Sequence, residues 1–150
     1  NPWNVVAERA RKCGRLMAAT LIEQVHGRRP VTLVGFSHGA RLIFYCLEEL
    51  KKRNAVGIVE NVFLFGAAVT ADASRWRDIR SVVSGRLVNG YTTTDWVLGL
   101  LHRTANYTRS IAGLGPVECE DVENWNLTHI VKGHLLYKQK IGKILAEVRF

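Results

Sequence analysis

An α/β fold with about four parallel strands and helices on both faces is what this sequence predicts, and three features predict it. Helical and extended segments alternate along the 150 residues. The extended segments are short and nearly all apolar, as strands buried on both faces of a parallel sheet read. Between the first strand and the helix that follows it lies a glycine-bounded turn, Gly35-Phe36-Ser37-His38-Gly39.

The elements follow in order. Residues 3–26 carry apolar side chains at Val6, Ala10, Cys13, Met17, Leu21 and Val25, spaced by three and four, which predicts a helix closed by Gly27. Val31 to Val34 is β-branched and apolar, a buried strand. Ala40 to Arg53 predicts a second helix, with Leu42, Ile43, Cys46, Leu47 and Leu50 on one side. Ile58 to Phe65 reads as the next strand and Ala73 to Val82 as a short helix. Arg86 to Tyr91 is a third strand that runs into the polar Thr92-Thr93-Thr94-Asp95, and Trp96 to Thr104 is helical. Residues 105–124 contain glycine and lack a period, so a long loop is expected. Trp125 to Ile130 is expected as the fourth strand and Leu135 to Val148 as a closing helix. No internal repeat is visible.

Composition sets limits. Hydrophobic residues at 47% and charged residues at 23% are globular proportions, and 150 residues suffice for one core but not two. No apolar run reaches the ~18–20 residues that a membrane span needs. Cys13, Cys46 and Cys119 are odd in number and have no metal-type spacing. Cys13 and Cys46 read as buried free thiols, which fits a reducing, cytosol-facing compartment. Nothing calls for a metal or other cofactor. Asn106-Tyr107-Thr108 and Asn126-Leu127-Thr128 match the glycosylation triplet, a pattern that arises often by chance.

The formal net charge is +8, clustered in Arg9, Arg11, Lys12 and Arg15, in Arg28-Arg29, and in Lys138, Lys140 and Lys143. An anionic membrane surface is one partner of suitable chemistry. Nucleic acid is disfavoured, because no nucleic-acid motif accompanies the charge.

Gly35 to Gly39 has the Gly-x-Ser-x-Gly form of the α/β-hydrolase nucleophile elbow, with the strand before it and the helix after it that the elbow requires. The serine occupies a tight, strained turn, and side chains two residues to either side are expected to collide there. Ser37 is then the nucleophile. The backbone N–H of His38 is an oxyanion donor, and the N-terminal end of the helix points at the site. The base and the acid must sit on later loops at the same sheet edge, in the order Ser, Asp or Glu, His. Of five histidines, His134 follows the last strand and is best placed. His26 lies at the wrong edge, His38 adjoins the serine, His102 is inside a helix, and His129 is within or near the strand. Two acids compete on spacing, Asp95 after the third strand and Asp72 after the second. Each also suits a helix N-cap.

Seven segments carry a resemblance to the transmembrane and coiled-coil domain-containing protein 4 family. They are Pro2-Trp3, Arg29 to Ser37, Tyr45 to Leu50, Gly57 to Val62, Ser84 to Asn89, Asp95 to Leu98, and Gly133-His134-Leu135. The resemblance covers nearly the whole chain. It implies an α/β-hydrolase-like, lipase- or esterase-like domain in a larger membrane-associated protein, with membrane segments upstream of Asn1. It also favours Asp95 and His134, whose Asp-Trp and Gly-His pairs recur in the family pattern. His38 departs from that pattern, which usually has a small or aliphatic residue there.

The expected fold is therefore the C-terminal part of an α/β-hydrolase domain, residues 1–150 forming one partial domain. The strands that precede the nucleophile strand, and the second oxyanion donor, would lie upstream in the same protein. The expected function is a serine hydrolase of ester or lipid type using Ser37, His134 and Asp95. The alternative is a catalytically silent scaffold of the same fold that binds a partner or a membrane.

Overall fold

A computed structural model of the chain describes residues 2–104 and 110–150, the side chains of Trp3 and of residues 101–104 excepted. The triplet at Asn106 and part of the expected loop lie outside the described residues. Among the described residues the helices and strands follow in the order α1 (Pro2–Ile22), β1 (Val31–Phe36), α2 (His38–Lys52), β2 (Val59–Phe65), α3 (Ala73–Arg80), β3 (Leu87–Tyr91), α4 (Trp96–Thr104), β4 (Val122–Asn126) and α5 (Ile141–Glu147). Short 3-10 turns cover Ala112–Leu114, His134–Leu136 and Lys138–Lys140.

The four strands form one parallel sheet in the order β1-β2-β3-β4. Parallel pairing brings every strand's C-terminal end to one edge, and the loops after β1, β2, β3 and β4 gather there. Side chains alternate between faces along each strand. Leu33, Val62, Leu64 and Leu87 enter a core with Ala18 and Leu21 of α1, Ile43, Leu47 and Leu50 of α2, and Trp76 and Ile79 of α3. Phe63, Phe65 and Val88 enter a second core with Leu127, Tyr137 and Ile144 and Val148 from the C-terminal segment. Helices thus cover both faces, as the apolar strands required. Each fully buried leucine or phenylalanine contributes about 1.5–3 kcal/mol by leaving water.

Four expectations need correction. The first helix ends at Ile22, not at residue 26, because Gln24 adopts a left-handed φ of 55°. Its buried face is also rotated from the one that apolar spacing marks. Ala10, Gly14, Ala18 and Leu21 are buried, whereas Val6 and Cys13 are exposed. Small residues win because α1 lies close against α2. A Cβ on Gly14 would stand 2.7 Å from the Leu42 carbonyl oxygen and 2.8 Å from the Tyr45 Cβ.

The last strand is Val122–Asn126 rather than 125–130, paired in register from Leu87↔Val122 to Tyr91↔Asn126. It is an edge strand, so its outer positions are polar (Glu123, Asn124, Asn126), and that polarity resembles a loop. The turn after it folds back with Ile130 and Val131 N–H donating to the Leu127 carbonyl. The closing helix is broken into two 3-10 turns before α5 begins at Ile141. The first two strands and the second helix shift by one or two residues, and β1 runs on through Gly35 and Phe36.

Gly14→Ala is expected to lower stability by about 1–3 kcal/mol through overpacking of α1 on α2. A urea or thermal midpoint equal to that of the unaltered protein would show that the two helices can part at no cost.

Candidate active site

β1 runs straight into Ser37. Phe36 pairs with Phe65, and Ser37 N–H donates to the Phe65 carbonyl at 2.9 Å, so sheet bonding continues up to the serine. The chain then turns within one residue. Ser37 has φ 54° and ψ −119°, and α2 starts at His38. A non-glycine residue held at positive φ costs roughly 1–3 kcal/mol, which the packed strand and helix on either side sustain. Gly35 is required by close approach, because a Cβ there would meet Ile43 Cδ1 at 2.7 Å and Ala40 N at 2.9 Å. The same expectation fails for Gly39. Nothing lies within 4 Å of a Cβ built on it, because it sits on the exposed side of the first turn of α2.

The structure brings Ser37, His134 and Asp95 together. His134 Nε2 lies 2.6 Å from Ser37 Oγ, and Nδ1 lies 2.6 Å from Asp95 Oδ2. A carboxylate only accepts, so Nδ1–H donates to Asp95 and Nε2 accepts from the Ser37 hydroxyl. The pair is nearly dry: the Asp95 side chain is 0% exposed and that of His134 is 9% exposed. Both bonds gain strength in such a setting. Asp95 also accepts from Leu98 N–H through Oδ1 at 2.9 Å. It therefore caps α4 and holds the imidazole with different oxygens. The N-cap role and the His134 contact are not alternatives.

Three threonines fix the two loops to each other. Thr92 Oγ1 donates to the Val131 carbonyl at 2.9 Å, and Thr94 Oγ1 donates to the Lys132 carbonyl at 2.7 Å. Thr128 Oγ1 accepts from Thr93 N–H at 3.0 Å. These bonds fasten the segment that precedes Asp95 to the segment that precedes His134. Sequence reasoning marked the run Thr92-Thr93-Thr94 only as polar. A run of hydroxyls just before a candidate acid was the available signal.

The other candidates lie elsewhere. Asp72 caps α3, its carboxylate accepting from Ser74 N–H at 3.0 Å. His129 is exposed and meets Glu147 Oε1 at 3.3 Å. His26 is exposed in the turn after α1, before β1, and so at the opposite end of that strand from Ser37. The side chain of His102 lies outside the described residues. His38 opens α2 and is half-buried. Burial first, then the charge of Arg41 and the neighbouring His134, pull its pKa below the usual 6.5.

Tyr137 was not foreseen. It is 3% exposed, with its ring 6.2 Å from that of His134 and 6.1 Å from that of Phe36. Burial, and then the charge of Asp95, push its hydroxyl well above the ordinary value. Its sequence neighbourhood, Leu136-Tyr137-Lys138, gave no sign of this position. Among the described residues no group of three or more His, Cys, Asp or Glu side chains is gathered as metal ligands would be. Nor is any described helix long and apolar enough to cross a membrane.

Comparison with known proteins adds a family. The family described as "Protein of unknown function (DUF726)" matches residues 1–150. The uncharacterized membrane protein F35D11.3 of Caenorhabditis elegans is 47% identical over 152 residues, covering 99% of this chain and 25% of its own length. The protein named "Probable lipase MIL1" of Saccharomyces cerevisiae is 47% identical over 150 residues, covering 99% of this chain and 14% of its own. The "Transmembrane and coiled-coil domain-containing protein STS1" of Oryza sativa subsp. japonica is 42% identical over 144 residues, covering 95% of this chain and 22% of its own. The chain thus spans a quarter or less of each of these relatives. No solved structure matches it.

The lowered pKa of His38 has a consequence for stability. Above pH 6.5 the ring is neutral in both folded and unfolded states and contributes no slope. As the pH falls below 6.5, the unfolded chain takes up a proton that the folded site resists, so stability is lost until the folded-state value is passed. Thermal midpoints measured from pH 8 to pH 4 are expected to fall less steeply for His38→Gln than for the unaltered protein. Parallel profiles would show that His38 does not contribute.

Proposed function

The chain belongs to the DUF726 family, and from the contacts at Ser37 we propose that it carries the catalytic serine of an α/β-hydrolase-type esterase or lipase. The observation that carries this reading is the His134 ring, placed 2.6 Å from Ser37 Oγ on one side and 2.6 Å from Asp95 on the other. That spacing suits proton transfer from a hydroxyl to a base whose tautomer a carboxylate fixes. The name "Probable lipase" carried by one relative agrees with it.

In this reading Ser37 Oγ attacks the carbonyl carbon of a lipid ester as its proton passes to His134 Nε2. Asp95 stabilises the imidazolium that forms. The negative oxygen of the tetrahedral intermediate accepts from His38 N–H, which stands at the N-terminal end of α2 directly after the serine. His134 then gives its proton to the departing alkoxide oxygen, which leaves an acyl-serine. Water, deprotonated by His134, releases the acid and restores Ser37. Tyr137 packs behind the imidazole and keeps that side dry.

We place the chain in a longer membrane-associated protein of the transmembrane and coiled-coil domain-containing group, with the domain on a reducing, cytosolic side. β1 is a terminal strand of the sheet, and Val34 and Phe36 are only partly covered. An open edge of this kind is suited to pairing with an earlier strand of the same protein, and such a strand would bring the second oxyanion donor. The outward stripe of α1, with Val5 and Leu16 exposed around Arg9 and Lys12, suits an anionic lipid surface.

The test is ester turnover by the natural protein that carries this chain. Ser37→Ala is expected to lower kcat by about 10⁶, and Asp95→Asn by about 10⁴ with folding intact, as in comparable triads. Asp72→Asn keeps a side-chain oxygen that can cap α3 and is expected to leave stability and turnover close to those of the unaltered protein. If Asp72→Asn abolished turnover and Asp95→Asn did not, the acid would be reassigned. Full turnover in Ser37→Ala would leave only a scaffold role.

A further inference from the structure

A pocket of about 260 Å³ lies where α1, α2 and α3 meet, and none of its walls belongs to the serine site. Its position follows from the packing of the helices. Gly14 lets α1 lie close against α2, so Arg11 and Arg15 of α1 share the pocket with Tyr45 and Lys52 of α2. The two arginines border the buried stripe of α1. They are separate from the outward stripe around Arg9 and Lys12.

Charge in the pocket does not balance. Its walls carry the cations Arg11, Arg15, Lys52 and Arg75 and the acids Glu48 and Glu49. Glu48 is taken by Arg75, which donates to both carboxylate oxygens, at 2.6 and 3.0 Å. Glu49 accepts from Arg53 Nε at 3.2 Å. Among the described residues Arg11, Arg15 and Lys52 have no ion pair. All 13 acids of the chain are described, so no undescribed side chain of it supplies the missing charge. Arg11 and Arg15 also stand four residues apart on one helix, a spacing at which like charges repel. Cations gathered around a concavity concentrate their field on an anion.

The neutral wall is prepared as a donor. Arg11 and Arg41 each hold a guanidinium 5.3 Å from the centre of the Tyr45 ring. Arg41 Nη2 donates to the Tyr45 hydroxyl at 2.9 Å. That oxygen is thereby an acceptor, and its own proton has no acceptor among the described residues. An oxygen-rich anion completes the arrangement. Arginine forks match phosphate oxygens in geometry. A phosphate monoester brings about 1.5–2 negative charges and three acceptor oxygens. A carboxylate brings a single charge and leaves most of the excess unmatched. A nucleic-acid strand spreads single charges along an extended track, whereas this pocket takes one compact group.

We propose that this pocket binds a phosphate monoester, borne by a lipid headgroup or by a small soluble molecule, through Arg11, Arg15, Lys52 and the Tyr45 hydroxyl. The site does not depend on the serine-hydrolase reading. Arg75 and Glu48 form a neutral, fixed wall beside it.

The experiment is equilibrium dialysis of the natural protein that carries this chain, in a Ser37→Ala background so that no ester is cleaved. The probes are glycerol phosphate, dihexanoyl phosphatidic acid and dihexanoyl phosphatidylserine, each below its micelle concentration. The first two are phosphate monoesters and the third is a diester. Either monoester is expected to bind more tightly than phosphatidylserine. Binding of phosphatidic acid alone identifies a lipid headgroup as the source. Binding of glycerol phosphate as well identifies the phosphate itself, whatever carries it. In Arg15→Gln/Lys52→Gln the Kd for the monoester is expected to rise about tenfold or more, since a hydrogen bond to a charged group is worth at least that factor. Lys52→Arg, which keeps the charge, is expected to bind as the unaltered protein does. Both replaced side chains are exposed. Should the double variant fail to fold, Arg15→Gln alone tests the same Kd at smaller amplitude. The proposal is overturned if neither monoester binds, if phosphatidylserine binds as tightly as phosphatidic acid, or if the Kd is unchanged when the cations are removed.

Discussion

The serine site depends on one constraint: a single imidazole must be held between two groups that lie 97 and 39 residues away in sequence. Neither hydrogen bond can hold it alone, because each of the three side chains rides on its own loop. The sheet supplies the coarse placement by bringing the C-terminal ends of β1, β3 and β4 to one edge. The fine placement comes from the threonine bonds between the two loops. Thr92 is fully buried, and its bond to the Val131 carbonyl is buried with it, so its loss would leave a carbonyl unpaired at a cost of about 1–3 kcal/mol. Asp95 is fixed a second time by capping α4, so its carboxylate cannot turn away from His134 without losing the cap.

Strain at Ser37 belongs to the same economy of placement. The positive φ of the serine directs its hydroxyl out of the line of β1 and toward the His134 loop. Gly35 lets α2 begin immediately, with Ile43 and Ala40 almost touching the strand. Relaxing the turn would swing Oγ away from Nε2, and the 2.6 Å contact has little room for that.

Much of this was legible in the sequence, for physical reasons that differ from residue to residue. The strands could be read because both faces are covered and the code for that is a short apolar run. Ser37 could be read because a strand-to-helix turn of one residue leaves few options at Gly35. Asp95 and Asp72 could not be separated by spacing, because both begin helices at the same edge. The difference lies in which loop the threonines fasten to the His134 segment. β4 and the closing helix were misplaced because an edge strand carries polar residues and because 3-10 turns have no period of their own. The buried face of α1 was missed because close helix packing selects Gly14 and Ala18, which hydrophobic periodicity barely registers. Tyr137 had no signal at all, since an aromatic after a histidine loop is read as ordinary core.

The central claim is that Ser37 is a nucleophile activated by His134. It is tested most directly by treating the natural protein that carries this chain with a fluorophosphonate and mapping the adduct by mass spectrometry. The account predicts a single adduct on Ser37 Oγ, absent in Ser37→Ala and formed far more slowly in His134→Ala, where no base accepts the hydroxyl proton. An adduct that persists in Ser37→Ala, or one that forms on Ser37 at the same rate without His134, would contradict it.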